Sequence, residues 1–186
     1  MSFEYSTFGR KAPIQIGEYK SMLEATVGNW LTEIKIPFIY EPFTYKTSKG
    51  NYTPDFQLPL INTYIEVKPT KETLTQSYFN LLEAFCLEKK CDLIFLAPDE
   101  VRYFELTPTQ KSMFEFNAEE IVCDYSMFLG ECIKCKTRFF SSVVGSYHCR
   151  HCNNHNGDHD MYADGFALFK HYYENYQKQK YGRVFQ

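Results

Sequence analysis

The sequence predicts an α/β protein whose mixed β-sheet is flanked by helices. The first observation is the order of elements along the chain: a helix, three strands, a second helix and a further strand. The second is the composition, because 44% apolar and 23% charged residues are close to the average of globular domains and argue against wholesale disorder. The third is the length of 186 residues, which fits one core with a small appendage.

Apolar periodicity predicts the first helix and the strands that follow it. After an irregular arm at 1–17, apolar residues recur every three or four positions over 18–36, and Pro37 ends this helix. Stretches rich in β-branched and aromatic residues then predict strands around a turn at 48–51, and Pro69 stops the last strand. The predicted strands cover 38–46, 52–58 and 64–68.

The remaining elements continue the α/β pattern up to a cysteine-rich region. An amphipathic helix is predicted over 71–90, and the short apolar run at 91–97 predicts a buried strand. A strand at 101–106 follows, and a short helix and an extended piece are expected before residue 128. The last element is an aromatic helix over 162–181.

Charge and cysteine content divide the chain into three predicted parts. They are an α/β core at 1–128, a cysteine-rich ribbon at 129–156 and a helical tail at 157–186. Net charge is −7 over 1–131 and +4 over 132–186. This asymmetry favours a polyanion held partly by the C-terminal region, and a simple solvated basic end is the alternative.

Two carboxylates and a lysine form the most informative constellation. Asp55 lies in Tyr-Thr-Pro-Asp-Phe, and Glu66 and Lys68 lie in Ile-Glu-Val-Lys further along. Strand alternation places Glu66 and Lys68 on one face, where Asp55 converges if its strand is the neighbour in a hairpin. Such a site suits Mg²⁺ or Mn²⁺ and a lysine that orients a water, the parts needed for phosphodiester hydrolysis. An exposed Glu/Lys pair and a turn aspartate are the alternative.

Glu24 is a further candidate ligand on the first helix. It precedes Gly28 by one turn, and a glycine there would let another backbone approach, so that Glu24 could face the site. A solvated helix glutamate is the alternative interpretation.

These residues resemble the signature of the PD-(D/E)XK nuclease superfamily. Over about 19–69, their order and spacing are similar to the phage Holliday-junction resolvases of that superfamily. The resemblance implies a restriction-endonuclease-like core at 1–128, with Asp55, Glu66 and Glu24 as metal ligands and Lys68 as the catalytic lysine. It also implies a polar residue from the next helix, for which the candidates are Gln76 and Lys71. The similarity ends after about residue 70.

Four cysteines predict a small structural zinc ribbon. They form two Cys-x-x-Cys pairs separated by thirteen residues, at Cys132, Cys135, Cys149 and Cys152. Two disulfides and an iron–sulfur cluster are the alternatives, and one of His148, His151 and His155 could replace a cysteine. The other three cysteines, Cys86, Cys91 and Cys123, are predicted to be buried thiols.

Basic side chains near the cysteines are candidates for nucleic-acid contact. They are Lys134, Lys136, Arg138 and Arg150, and their alternative role is to keep the ribbon soluble. A second candidate contact is the loop that carries Lys46 and Lys49.

The combined expectation is a metal-dependent DNA endonuclease with a catalytic Mg²⁺ or Mn²⁺ and a structural Zn²⁺. The alternatives are a non-catalytic nucleic-acid or protein-binding adaptor on the same scaffold, and an RNase. No membrane-spanning run and no secretory signal are evident, so a cytoplasmic location is expected. Selectivity for DNA structure and a homodimer are left open.

Overall fold

A computed structural model of the protein describes residues 19–106, 121–142, 149, 151–152 and 159–181. The arm predicted at 1–17 and the stretch 107–120 lie outside these residues. The helices are α1 (Met22–Glu33), α2 (Gln76–Lys89) and α3 (Gly165–Tyr181). The strands are β1 (Ile39–Tyr40), β2 (Tyr45–Thr47), β3 (Gly50–Tyr52), β4 (Phe56–Leu58), β5 (Thr63–Val67), β6 (Asp92–Leu96), β7 (Val101–Leu106), β8 (Ile121–Asp124), β9 (Phe128–Cys132), β10 (Arg138–Ser141) and β11 (His159–Asp164).

A six-stranded mixed sheet forms the centre of the fold. Its strand order is β1-β4-β5-β6-β7-β8. Strands β5 and β6 run parallel, because α2 carries the chain back between them, and the other neighbouring pairs are antiparallel. The predicted mixed α/β sheet is confirmed.

Helices cover both faces of this sheet. Trp30 of α1 packs into a core cluster that includes Ile65 and Val67, whereas Phe85 of α2 packs with Tyr64 on the opposite face. The alternation of β5 therefore sends its odd-numbered side chains toward α1 and its even-numbered ones toward α2. Glu66 belongs to the second set and lies on the α2 side.

A three-stranded antiparallel sheet holds part of the cysteine-rich segment. Its order is β10-β9-β11, and β11 was not predicted from the sequence. The sheet packs against the α1 side of the core, where the rings of Phe140 and Trp30 stack with centroids 5.7 Å apart. Strand β9 spans the predicted division at 128/129, and the three-part division of the chain stays a prediction.

Two helices begin later in the sequence than their apolar patterns predict, because side chains cap their N-termini. Ser21 accepts a hydrogen bond from the Glu24 N–H at 3.1 Å, so α1 begins at Met22 rather than at 18. Thr75 caps α2 in the same way, and the predicted start at 71 is instead a separate 3₁₀ turn, Lys71–Thr73. In the part of the chain that the structure describes, no helix combines the length and apolarity needed to cross a bilayer.

Candidate functional site

The hairpin of β4 and β5 places Asp55 beside Glu66. Phe56 pairs with Ile65 in antiparallel register, so Asp55, which directly precedes β4, lies opposite Glu66. The Asp55 carboxylate accepts a hydrogen bond from the Val67 N–H, with 2.7 Å between Oδ2 and N. This bond fixes the aspartate at the end of the ladder, as the sequence interpretation expects.

Lys68 lies between the two carboxylates. Its Nζ forms an ion pair with Glu66 Oε1 and is 4.0 Å from Asp55 Oδ2. The Glu66 side chain is 2% exposed, whereas that of Lys68 is 29% exposed. A lysine at this position can meet a ligand from solvent while it offsets the buried negative charge.

The surroundings of Asp55 disfavour its ionised form and raise the pKa of its carboxyl group. Burial first, and then repulsion from Glu66, raise its pKa to about 7, although the Val67 N–H and Lys68 act in the opposite direction. Among the described residues, the Asp55 carboxylate accepts the Val67 N–H at Oδ2, and no hydrogen bond is made to Oδ1. A cation near Oδ1 would favour the ionised carboxylate, and this oxygen is available to bind one.

Two tyrosine hydroxyls hold Glu66. Tyr52 donates to Oε2 at 2.7 Å, and Tyr78 of α2 donates to Oε1. Burial and the charge of Glu66 raise the pKa of both phenols, which keeps them protonated as donors. Both carboxylate oxygens therefore have hydrogen-bond donors in this structure.

The sequence interpretation missed these tyrosines. It placed Tyr78 on the apolar face of α2 and proposed Gln76 and Lys71 as the polar residues of that helix. Gln76 instead donates to Asn80 at 2.8 Å, and the Lys71 Nζ lies 3.8 Å from Glu100. The sequence signal that could have identified Tyr78 is its position in the helix directly after the Glu-x-Lys strand, where a hydroxyl can reach Glu66.

Glu24 is held at the N-terminus of α1. Its carboxylate accepts hydrogen bonds from the Ser21 hydroxyl at 2.8 Å, from the Lys20 N–H at 3.2 Å and from the Tyr40 hydroxyl. It is close enough to Asp55 to raise the pKa of that carboxyl slightly, as the last of several causes. Glu24 thus lies at the border of the site.

The expectation about Gly28 is corrected. Among the described residues, the atoms nearest to a Cβ at this position are those of the Tyr19 phenol, with the ring carbon Cζ at 2.6 Å, so the clash would be with this side chain rather than with a backbone. Gly28 therefore makes room for Tyr19, which packs edge-on against Tyr40 with ring centroids 4.7 Å apart. Since Tyr40 donates to Glu24, the glycine supports the glutamate indirectly.

The four cysteines are the tightest cluster of potential metal ligands. Their sulfurs all lie within 4.8 Å of one another, and no other three His, Cys, Asp or Glu side chains of the described residues gather in this way. Two of the sulfur pairs, Cys132–Cys152 and Cys135–Cys149, are 3.7 and 3.6 Å apart. The carboxylates Glu24, Asp55 and Glu66 do not form such a group among the described residues.

These distances match a single tetrahedral ion. Zn–S bonds of about 2.3 Å in a tetrahedron place neighbouring sulfurs about 3.8 Å apart. A disulfide would require about 2.05 Å, and a multi-iron cluster would set the sulfurs further apart on separate irons. The four cysteines could therefore hold a zinc ion. Thr137 lies between Cys135 at 3.2 Å and His151 at 3.1 Å, so His151 is a neighbour of the ligand set.

The remaining predicted residues take different positions. His148 and His155 lie outside the described residues. Cys86 and Cys91 are buried thiols, and Cys123 is half-buried. Tyr172 and Tyr173 of α3 pack against the core cluster that contains Trp30.

The candidate phosphate-binding residues differ in their surroundings. Lys46, Lys49, Lys134 and Lys136 are exposed. Arg138 donates to the Ile34 carbonyl at 2.7 Å and to Glu131 at 3.3 Å, and so joins β10 to the end of α1. Arg150 lies outside the described residues.

Comparison with protein family models, curated proteins and solved structures finds no match to this chain. The chemical groups of the site are a largely buried carboxylate pair with a lysine, and a separate cluster of four cysteines.

Proposed function

We propose that the protein is a divalent-metal-dependent DNA endonuclease with a restriction-endonuclease-like core of the PD-(D/E)XK type. The observation that carries the proposal is the junction of β4 and β5, where Asp55, Glu66 and Lys68 meet. Glu66 lies in β5, Asp55 directly precedes β4 and Lys68 directly follows β5, so the register of this strand pair determines their mutual positions. This supports the assignment made from residue spacing.

The donor set at this junction fits a hard cation. Asp55 and Glu66 would hold Mg²⁺ or Mn²⁺, and Glu24 would contribute from the border of the site. The cation would supply Lewis acidity at the scissile phosphate. The raised pKa of Asp55 and its open Oδ1 support this fit, because a positive charge there offsets the repulsion between the carboxylates.

The chain's own groups would then bind and orient the substrate. Lys68, half-exposed at the junction, can hold the attacking water or stabilise negative charge on the phosphoryl oxygens. Tyr52 and Tyr78 keep Glu66 in one orientation through their hydroxyls. Lys68, which is ion-paired with Glu66, is the ammonium that would meet a substrate phosphate at this junction.

The cysteine cluster would hold a structural zinc ion. Thiolate is the ligand type that retains zinc, and segment 129–156 is short, so metal binding would contribute to its folding. The exposed Lys134 and Lys136 next to the cluster would contact DNA phosphates, with Lys46 and Lys49 on the β2–β3 hairpin as a second contact. RNA is an alternative substrate for the same chemistry.

A non-catalytic adaptor is the second candidate, and one observation favours it. Both oxygens of Glu66 are occupied by donors, and the carboxylates are not gathered around one point. A retired site could persist as a stable hydrogen-bonded cluster of this kind. The two candidates differ in one measurable property, which is metal-dependent cleavage.

Plasmid nicking with Mg²⁺ or Mn²⁺ tests the proposal. We expect nicking that disappears in Glu66→Gln and in Lys68→Met, while Glu72→Gln, a matched change of an exposed glutamate outside the site, cleaves normally. A parallel RNA substrate distinguishes an RNase. Absence of metal-dependent cleavage on linear, nicked, single-stranded and branched DNA, with the zinc content intact, would refute the endonuclease and leave the adaptor.

A further inference from the structure

Phe43 is the most exposed large hydrophobic side chain among the described residues. It is 70% exposed, and it lies in the four-residue loop 41–44 between β1 and β2. Its ring packs against no other described ring and belongs to neither core cluster. A single exposed apolar residue is ordinary in itself, so its significance depends on how it is held and what lies beside it.

The N-terminal side of this loop is fixed to the candidate active site. The Glu41 N–H donates to the main-chain carbonyl of Asp55 at 2.8 Å, and the Glu41 carboxylate forms an ion pair with Lys20. Glu41 also has φ of 43°, a left-handed backbone that non-glycine residues adopt only when their surroundings enforce it. The loop therefore leaves β1 in one defined direction.

The C-terminal side is fixed as well. The hydroxyls of Thr44 and Thr53 are hydrogen-bonded at 2.7 Å, and Pro42 restricts the backbone before Phe43. Consecutive Cα atoms are about 3.8 Å apart, so the Phe43 Cα lies within about 8 Å of the Glu41 Cα. An aromatic ring is thus held in solvent next to the strand segment that carries Asp55.

We propose that Phe43 stacks on an unpaired base of the DNA, next to the phosphate that is cleaved. The inference rests on the proposed function and specifies its substrate class: DNA with an unstacked base near the cut. A base inside a duplex has both faces covered by its neighbours, whereas a base in a single strand or a bulge offers a free face to a phenyl ring. Fixing the loop in advance lowers the entropy cost of this contact.

The test compares DNA binding by Phe43→Ala, Phe43→Trp and unmodified protein. The probes are a fluorescently labelled single strand, the same sequence as a blunt duplex, and that duplex with one bulged base, all in Ca²⁺ to limit cleavage. We expect Phe43→Ala to bind the single strand and the bulged duplex about 5- to 150-fold more weakly, with the blunt duplex changed less than about twofold. Phe43→Trp should bind like unmodified protein. The matched control is Leu60→Ala, an exposed residue at the opposite end of the β4–β5 hairpin, which should change nothing.

Three outcomes would overturn the inference. They are unchanged binding by Phe43→Ala, an equal loss on the blunt duplex, and an equal loss in Leu60→Ala. Cleavage in Mg²⁺, measured separately, distinguishes this failure from that of the proposed function. If the unmodified protein cleaves and Phe43→Ala binds and cleaves alike, stacking alone is refuted; if binding depends on Phe43 and nothing is cleaved, the endonuclease is refuted. Absence of binding to all three DNAs overturns both.

Discussion

Replacing Asp55 with asparagine should stabilise the protein at alkaline pH while it removes cleavage. Asparagine retains an oxygen that can accept the Val67 N–H, so the local backbone stays in place. It removes a negative charge that burial and Glu66 disfavour. Activity and stability are thus expected to change in opposite directions at this one position.

The magnitude follows from the pKa of Asp55. Its value is raised from 3.8 to about 7 in the folded protein, so the native state keeps a proton that the unfolded chain has released. The stability of the unmodified protein therefore falls as pH rises between about 4 and 7, and the loss is complete above the folded-state pKa. From pH 5 to pH 7 the loss is at most about 2.7 kcal/mol at 1.36 kcal/mol per unit, and local relaxation reduces the expected value to about 1–2 kcal/mol.

The assay is urea unfolding of both proteins at pH 5 and pH 8.5. The single tryptophan, Trp30, is buried in the core and reports unfolding by fluorescence. Divalent cations should be removed from the buffers with a chelating resin, because EDTA added to the protein would also strip zinc from the cysteines. We expect the stability advantage of Asp55→Asn to grow by about 1–2 kcal/mol between the two pH values.

Added Mg²⁺ provides an internal check. It should restore stability to the unmodified protein at pH 8.5 and have a smaller effect on Asp55→Asn, since the variant lacks a ligand carboxylate. An advantage that does not depend on pH, or a variant that is less stable at pH 8.5, would refute the reasoning from charge and burial.

Four further predictions concern one hydrogen-bond donor of the site, one cysteine and two basic residues. Tyr78→Phe, which removes one donor to the buried Glu66 carboxylate, should slow nicking about tenfold and lower the free energy of unfolding by about 1–3 kcal/mol; an unchanged rate beside that loss would show that the hydroxyl serves stability alone. Cys149→Ser should lose most of the one zinc expected per chain by elemental analysis and melt at a lower temperature, whereas full zinc retention would contradict the four-thiolate site. Arg138→Ala should lower the free energy of unfolding by about 1–3 kcal/mol, because it removes a charged donor from the Ile34 carbonyl. Lys134→Ala should leave stability unchanged and reduce the log–log salt slope of DNA binding by about one. If instead Arg138→Ala changed the salt slope and Lys134→Ala lowered stability, Arg138 would be the phosphate contact and Lys134 the structural residue.

Local rules predicted much of the sheet and the cysteine cluster. Alternation along β5 correctly predicted that Glu66 points to one face of the sheet and the apolar Ile65 and Val67 to the other. Successive side chains of a strand point to opposite faces even when both faces are buried. The two Cys-x-x-Cys spacings predicted a cluster that the structure shows, since a two-residue gap is short enough for both sulfurs to meet one ion.

Other features depended on tertiary contacts that a sequence pattern does not contain. Tyr78 has the periodicity of a core residue, and only the packing of α2 over β5 shows that its hydroxyl meets Glu66. Strand β11 is absent from the prediction because its sequence, His-Asp-Met-Tyr-Ala-Asp, is polar and becomes a strand by pairing with β9. Arg138 donates to the Ile34 carbonyl because the end of α1 lies nearby, and the sequence pattern gives no sign of this contact.

The position of the cysteine cluster links metal supply to the amount of folded protein. Cys132 and Cys149 share a hydrophobic cluster with Trp30 of α1, so the sulfurs and the core of the central sheet are parts of one packed body. A metal that binds only the native state adds its binding free energy to the stability of that whole body. Zinc starvation should therefore reduce the quantity of intact protein in a cell through proteolysis, in addition to any effect on the DNA binding that we propose. Under the proposed function, activity per cell would then follow zinc availability even though the proposed cleavage uses a different cation.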